Sequence, residues 1–570
     1  MKALHLSAIT CLWWLALDCA SALSPWAMTW SDSTFGFDGP WHAVTIGIGT
    51  NDTELAMYPG ASWQSYVLLN TLCDNTTISS YCYGDHAGLF NPSSSATWNN
   101  KSIALPLTSR DVGGMSTTNS NFIAIEQGYQ TYPSGNLYPL EAGLLALGAH
   151  DINQTFSEDY GPSVNGTFVT SWLYEHGVTP SYSYGMHIGS PMFKIPGSLY
   201  LGGYDKNRVI GDITTQPIDS GELPIELLDI GIGVVNGGSV WGAPNITGLM
   251  AKSNSSLSSG MNVAIDATNP YIYLPRSTCD AIAANLPVSY RSDLGLYTWD
   301  TNNENYTKII TSPSYLAFNF VKNDINTKNI TIKVPFALLN LTLSAPLVNQ
   351  DTPYFPLMPT DSNPVLGRAF LQAAFYGVHW SQKYWFLSQA PGPDDNFIKN
   401  VVNIDPTTTT ITGTENSWEE TWASYWTALP SNVVINNSNS SSPSPNSSVS
   451  TSLSTGAKAG IGIGCAFAAI AIIGMIAWFW RRRQQKARPT NTLAPQEYAR
   501  PPLIERELQP AEIAGGKRDT WHELDHNPSF TGYYGNESSG RTSTQLDLQT
   551  STRASHGLMN RTPGPYELGL

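Results

Sequence analysis

The chain has 570 residues, only 13% of them are charged, and its formal net charge is −15. This acidic balance excludes nucleic acids and anionic membrane surfaces as partners held by charge, because both are themselves negative. Its 48 glycines and 38 prolines, combined with so few charged residues, favour many short strands and turns over long helices. The composition therefore predicts an all-β fold.

The N-terminus has the features of a secretory signal peptide. Lys2 precedes an apolar run, which ends in the small residues Ala20, Ser21 and Ala22 that signal peptidase requires. We expect residues 1–22 to be removed and the mature chain to begin near Leu23.

The secretory pathway is an oxidising compartment, so the cysteines that remain there are expected to pair. Cys11 and Cys19 leave with the signal peptide, whereas Cys73 and Cys82 are left to close a short loop by a disulfide. Cys279 has no obvious partner, and we expect it to be a buried free thiol.

Asn-x-Ser/Thr sequons are dense in the part of the chain that would lie outside the cell. One sequon alone is weak, but their number predicts a glycoprotein. The predicted N-glycosylation sites are Asn51, Asn75, Asn100, Asn153, Asn165, Asn245, Asn254, Asn305, Asn329, Asn340, Asn436, Asn439 and Asn446.

From about residue 31 to residue 391, short alternating segments such as 42–49 (HAVTIGIG) predict strand after strand. An appended segment follows over 393–430, in which Trp418, Trp422 and Trp426 recur every four residues. This spacing predicts a short helix that packs on the domain or lies near the bilayer. A platform for carbohydrate is the alternative interpretation.

The C-terminal part predicts a membrane anchor. Residues 431–455 are rich in Ser, Asn and Pro and predict an extended, glycosylated stalk. Residues 459–480 carry no charge, and at about 1.5 Å per residue they span a hydrocarbon core of about 30 Å. Arginines 481–483 follow at once and mark the cytoplasmic side. We predict a single-pass protein of the plasma membrane or another secretory-pathway membrane, with a disordered cytoplasmic tail over 481–570.

Two further patterns in this part are weaker. Gly456, Gly460 and Gly464 recur every four residues, which would let two membrane helices approach closely and form a homodimer. Small residues are also simply common in such helices. Residues 522–526 (HELDH) spell a zinc-protease motif, but they lie in the predicted tail with Pro528 close behind. We therefore predict no metal and no cofactor.

Seven blocks in a fixed order resemble the pepsin-like aspartic protease family. They match its first strand, its D-T-G-S-S, F-x-P-x-x-S-S-T-Y, D-G-I-L-G-L-G and G-x-L-x-F-G-G-x-D stretches, its second D-T-G-T-S, and its closing I-L-G-D-x-F-L. The blocks are residues 41–50 (WHAVTIGIGT), 58–63 (YPGASW), 90–98 (FNPSSSATW), 142–148 (AGLLALG), 198–205 (SLYLGGYD), 263–275 (VAIDATNPYIYLP) and 365–371 (VLGRAFL). The resemblance implies a bilobal, all-β domain over residues 23–392, with an N-lobe of about 31–210 and a C-lobe of about 211–392.

The catalytic positions depart from the family pattern. A pepsin-like enzyme needs two carboxylates that share a proton around one water. The resemblance places Asp266 at the second position but Tyr58 at the first. A phenol, whose ordinary pKa is about 10, cannot stand in for an ionised carboxylate in acid.

The residues that support the catalytic pair are altered as well. In the family, the Thr after each Asp bonds across the lobe interface, but here those positions hold Pro59 and Ala267. Gly60 is kept, whereas Thr268 replaces the second glycine and Ala146 replaces a glycine of the crossing loop. No flap tyrosine is evident between residues 102 and 123.

Asp266 has two interpretations. It is a residual acid that binds water or a substrate amide, or it caps backbone amides in its own turn, which is the interpretation that we favour. Tyr58 would fill the space of the first Asp, where it could bond to Asp266. The cleft between the lobes would remain and could bind an extended peptide or a surface glycan.

Three functions follow from these observations. We favour a catalytically inactive pseudoprotease that serves as a binding or sensing module at the cell surface. The second is an active aspartic endopeptidase with a non-standard dyad, which a second carboxylate near Asp266 would support. The third is a structural surface glycoprotein, which a cleft filled by side chains or glycans would support.

Overall fold

The computed structural model describes part of the chain. The predicted signal peptide, stalk, membrane helix, cytoplasmic tail and glycine pattern all lie outside it. In the part of the chain that is described, no helix is long and apolar enough to cross a membrane. The described residues are 23–431 without 61–64, 75–80, 97–104, 109–115, 121, 127, 150, 157–163, 220, 253, 255–256, 258 and 323–327.

The alternating segments of the sequence form strands with one buried face. In strand Ser314–Val321, Leu316 and Phe318 are buried while Ala317 and Asn319 are partly exposed. Successive side chains of a strand point to opposite faces, so this alternation places one face of the sheet against the core. The prediction of a mostly β domain is confirmed.

The N-lobe is built on a nine-stranded sheet. A separate hairpin, Tyr129–Thr131 and Leu137–Pro139, leads into it. In spatial order the nine strands are Asn153–Phe156, Val164–Thr167, Ser116–Ser120, Leu105–Thr108, Val44–Ile48, Thr53–Gly60, Gly143–Ala146, Tyr66–Leu68 and Ile123–Ile125.

The C-lobe has a large sheet and a smaller, four-stranded one. Strand Asn245–Ile246 adds to the large sheet by pairing with Pro224–Val234. The large sheet runs Asn329–Pro335, Ser314–Val321, Pro224–Val234, Met261–Ile265, Val365–Leu366, Ile272–Leu274 and Leu357–Pro359. The smaller sheet runs Val288–Arg291, Leu296–Trp299, Thr352–Phe355 and Leu341–Leu343.

A six-stranded sheet joins the two halves of the chain, because it takes strands from both of them. Its inner strands are fully buried, and the rings of Tyr184 and Tyr376 meet edge-on in it. In order its strands are Trp26–Ala27, Ser198–Leu201, Ser183–His187, Ala374–His379, Tyr384–Gln389 and Ile210–Pro217.

Helices are short and lie between the strands. The α-helix Arg276–Ala283 follows Pro275, whose backbone is not helical, with ψ at 143°, as is normal for the residue that flanks the start of a helix. The other α-helices are Val169–Glu175, Glu304–Thr311 and Arg368–Leu371, and the 3₁₀ turns are Tyr83–His86, Pro92–Ser94, Pro191–Phe193, Lys206–Arg208 and Glu420–Trp422.

The segment after residue 392 folds back onto the domain. Its strand Val401–Asn403 pairs with Gly203–Asp205. Further along, Lys333 Nζ lies 2.7 Å from Glu419 Oε1, and the last described residues bridge to the C-lobe. The segment therefore adds a strand and an ion pair to the domain.

The helix predicted from the tryptophan spacing is only the single 3₁₀ turn Glu420–Trp422. The three indoles still cluster, with Trp426 stacked 5.7 Å from Trp422. Trp418 meets Tyr315 of the C-lobe edge-on. Packing on the lobe therefore decides the positions of the indoles, and a regular helix is not needed. Trp418 and Trp422 are buried, which disfavours a carbohydrate platform.

The cysteine predictions agree with the structure. Cys73 and Cys82 form a disulfide, which confirms that pairing. Cys279 is a free, buried thiol.

The sequons differ in exposure. Asn51, Asn245 and Asn329 are exposed, whereas Asn254, Asn305 and Asn340 are half-buried. The side chains at Asn153 and Asn165, and the sequons Asn75, Asn100, Asn436, Asn439 and Asn446, lie outside the described residues. Glycosylation stays a prediction.

Candidate active site

The end of an N-lobe strand meets a turn of the C-lobe at the candidate site. Strand Thr53–Gly60 carries Tyr58 near its end, and strand Met261–Ile265 leads into the turn that holds Asp266. A Cβ added to Gly60 would overlap the methyl group of Thr268 and lie 3.2 Å from Asp266 Oδ1. Glycine is therefore required at Gly60 for this close approach.

Each of the two motif strands has a parallel neighbour that holds it in place. Tyr58 is in register with Leu144 of the N-lobe crossing strand. The C-lobe repeats the arrangement, with Ile265 in register with Leu366. The sequence blocks at 142–148 and 365–371 therefore occupy equivalent places in the two lobes.

The carboxylate of Asp266 is bonded by its own turn. The Thr268 N–H donates to Oδ1 at 2.9 Å, the Thr268 hydroxyl donates to Oδ2 at 2.6 Å, and the Asn269 amide donates to Oδ2 at 3.0 Å. Burial raises the pKa of Asp266, while these hydrogen bonds and the charge of Arg368 act against the rise. This geometry matches local capping.

Tyr58 does not make the bond to Asp266 that was considered from the sequence. Among the described residues, Asp266 receives its side-chain hydrogen bonds only from Thr268 and Asn269. The Tyr58 ring instead lies against the Arg368 guanidinium, 4.1 Å from its Cζ. Burial raises the pKa of the Tyr58 phenol well above its ordinary value of 10, and Glu141 adds to the rise. Tyr58 is therefore neutral.

Arg368 connects the Asp266 turn with Tyr58 of the N-lobe strand, and the sequence interpretation missed it. Its Nη1 donates to the carbonyls of Ala267 at 3.1 Å and Thr268 at 2.9 Å. The same guanidinium contacts Tyr58 and, at 5.2 Å, the Trp41 ring of the N-lobe. It is only 6% exposed. The available signal was a charge reversal, because Arg368 stands where the closing I-L-G-D motif has an acid.

Two acids lie on the Tyr58 side of the site. Glu141 Oε1 accepts a hydrogen bond from the Gly36 N–H at 2.6 Å, and Asp38 Oδ1 accepts one from the Trp41 indole at 2.7 Å. Burial raises the pKa of Glu141 to about 7, and Asp38 adds to the rise. The sequence interpretation did not single out either acid, since neither lies within a catalytic motif.

The replaced support residues find other partners. The Ala146 N–H donates to the Ser65 hydroxyl at 2.9 Å, and the Ala267 carbonyl accepts from Arg368. Pro59 is in register with Leu145. Strands Leu105–Thr108 and Ser116–Ser120 pair as a hairpin where the flap was expected, and the connection between them lies outside the described residues.

Metal ligands do not gather at this site. In the described part of the chain, no group of three or more His, Cys, Asp or Glu side chains is placed to hold an ion.

The comparison with known families decides the identity of the domain. The family model for eukaryotic aspartyl protease matches residues 42–384. The chain belongs to the eukaryotic aspartyl protease family. Rhizopuspepsin-2 from Rhizopus niveus is a curated relative, 24% identical over 278 residues. The match covers 47% of this chain and 62% of that relative, so less than two thirds of the relative's length is spanned.

The match places the candidate site within the aspartyl protease domain. Tyr58, Asp266 and Arg368 all fall inside the matched residues. The segment after residue 392, with its added strand and tryptophan cluster, lies beyond the match. That segment is therefore an extension of the family domain in this chain.

Proposed function

We propose that this aspartyl protease domain is a pseudoprotease, which binds polypeptide in its cleft without cleaving it. One observation carries the proposal. The carboxylate that would share a proton with Asp266 is missing, and the charged guanidinium of Arg368 lies at that position against Tyr58. Asp266 is bonded by its own turn, and the position opposite holds the neutral Tyr58 against Arg368.

The chemistry of the family mechanism explains why this matters. Two carboxylates about 3 Å apart cannot both ionise, so one is the base and the other the acid toward a shared water. Arg368 favours the ionised form of Asp266. The carboxylic acid that would donate a proton is replaced by Tyr58. The phenol of Tyr58 cannot take over this role, because its pKa is raised well above 10.

The two acids near Tyr58 do not restore a pair. Glu141 and Asp38 hold N-lobe groups, the Gly36 amide and the Trp41 indole. The three hydrogen bonds to Asp266 all come from Thr268 and Asn269. A second carboxylate beside Asp266 was the feature expected of an active enzyme, and the contacts of Asp266 in the described part of the chain include none.

Binding is the function that remains for the cleft that the family fold implies between the lobes. Extended peptides bind in such sites through main-chain hydrogen bonds, and this needs no catalytic residue. The sequence predicts a signal peptide and contains dense sequons and the apolar segment 459–480. We therefore propose that the domain is displayed at a membrane surface, where it binds a ligand outside the cell.

A cleavage assay tests the loss of catalysis. The full-length protein would be incubated with denatured protein substrate at about pH 3–6, the range in which a shared carboxyl proton is available. Pepstatin-treated protein and an Asp266→Asn variant would serve as controls. We expect no cleavage from a protein whose circular dichroism shows that it is folded. Cleavage that both controls abolish would refute the proposal.

A further inference from the structure

The two lobes touch directly beside the candidate site. Tyr132, at the tip of the N-lobe hairpin, places its hydroxyl 2.9 Å from the hydroxyl of Tyr271 in the C-lobe. The two side chains are 4% and 2% exposed. At the same tip, the Ser134 N–H donates to the Asp293 carbonyl at 3.1 Å. The hairpin is thus bonded across the space between the lobes.

A second interlobe contact continues the first. The Tyr354 hydroxyl of the C-lobe donates to the Asp38 carbonyl of the N-lobe at 2.6 Å. The rings of Tyr271 and Tyr354 meet edge-on with centroids 6.1 Å apart. We call the buried row formed by Tyr132, Tyr271, Tyr354 and Asp38 the interlobe seam.

The seam lies next to Arg368 at the candidate site. The Gly367 N–H donates to the Tyr271 carbonyl at 2.9 Å, directly before Arg368 in the chain. At the other end, the Asp38 side chain accepts from Trp41, whose ring faces Arg368. Gly367 and Trp41 therefore link the seam to Arg368, which itself contacts Tyr58 and the Asp266 turn.

A polypeptide cannot pass through the seam. A strand bound between two others needs about 4.7–4.9 Å to each neighbouring backbone, and its side chains need more. Hydroxyl groups 2.9 Å apart leave no space for such a strand. Burial also raises the pKa of Tyr271 and Tyr354 well above 10, so both hydroxyls stay protonated in acidic and neutral solution.

We propose that the seam closes the cleft on the Tyr132 side, so that the cleft admits the free end of a polypeptide and not an internal segment. A chain crossing the site formed by Tyr58 and Asp266 would have to stop at the seam. The ligand class is then a short peptide or an exposed chain terminus. This inference rests on the proposed binding function, because it specifies what that cleft accepts.

The test compares two libraries of the same random short peptides. In one library the peptides have a free end, and in the other both ends are joined into a loop of a stable carrier protein. The full-length protein would select from both. We expect enrichment from the free-end library and none from the loop library. Equal enrichment from both would overturn the inference and leave the binding function standing, whereas no enrichment from either would overturn the binding function as well.

Two seam variants sharpen the result. Tyr132→Ala removes the ring that fills the interlobe space, and we expect it to gain enrichment from the loop library. Tyr132→Phe is the matched control, because it keeps the ring and the Ser134 contact and should select like the unaltered protein. A Tyr132→Ala protein that melts normally and still rejects the loops would show that the Tyr132 ring does not set the selection and would overturn its place in the inference.

Discussion

Glu141 gives the domain a pH-dependent stability that one substitution isolates. Burial holds its pKa at about 7 in the folded protein, against 4.5 for an ordinary Glu. The folded state therefore binds this proton more tightly than the unfolded chain does. The resulting stability is fully present below about pH 4.5 and is lost as the pH rises to about 7, with a total of about 3 kcal/mol.

Glu141→Gln removes this titration and keeps an oxygen for the Gly36 N–H. We compare the free energy of unfolding of the variant with that of the unaltered protein. We expect this difference to rise by about 3 kcal/mol as the pH increases from about 4.5 to about 7.5. Urea unfolding at several pH values measures the difference. Buried His187, with its pKa lowered to about 3, acts in the opposite direction. Since it does so in both proteins, only their difference is interpreted.

Two results would refute the reasoning about Glu141. One is a stability difference that stays constant with pH, which would mean that Glu141 titrates as in the unfolded chain. The other is a change of the opposite sign. Glu126→Gln serves as the control, because Glu126 is exposed and the substitution removes the same charge.

Three other substitutions test the site and the disulfide, each by urea unfolding. Gly60→Ala should cost about 1–3 kcal/mol through its overlap with Thr268, and a Thr268→Ser partner should recover much of that loss; no recovery would place the strain elsewhere. Arg368→Met should cost about 2–6 kcal/mol, because two buried carbonyls lose their donor at about 1–3 kcal/mol each; a stabilised variant would contradict this role. Cys73→Ser with Cys82→Ser should cost about 2–3 kcal/mol for a short loop, and an unchanged stability would show that the disulfide adds nothing.

The ordered motifs made the fold predictable because each motif is local. The segment 42–49, which alternates in sequence, contains strand Val44–Ile48, and Gly60 stands where only glycine fits. The pairing of Cys73 with Cys82 followed from their proximity in sequence and from the cellular compartment. Such features need only the neighbouring residues to be recognised.

The missed features depend on partners far away in the chain. Arg368 acts through Tyr58 and Trp41, and no local pattern links these positions. Tyr132 and Tyr271 are equally distant in sequence, so their hydrogen bond could not be anticipated. The tryptophan spacing predicted a helical face, but packing against Tyr315 replaced the helix with a single turn.

Arg368 also predicts what happens when the missing acid is restored. Tyr58→Asp would place a carboxylate where the phenol ring now lies 4.1 Å from the guanidinium. An opposite charge this close lowers a carboxyl pKa, so the new acid would pair with Arg368 and would not share a proton with Asp266. The Thr268 N–H and hydroxyl would still donate hydrogen bonds to the two carboxylate oxygens of Asp266.

We therefore expect Tyr58→Asp to remain inactive toward denatured protein at about pH 3–6. Tyr58→Asp combined with Arg368→Gln removes the competing charge and tests whether Thr268 is a second obstacle. Pepstatin-sensitive cleavage by Tyr58→Asp alone would refute the role given to Arg368, because the dyad would then form in the presence of its charge. Cleavage only by the double variant would identify that charge as the obstacle. Inactivity of both folded variants would place the remaining obstacle in the Asp266 turn, where Thr268 replaces the glycine of the family motif.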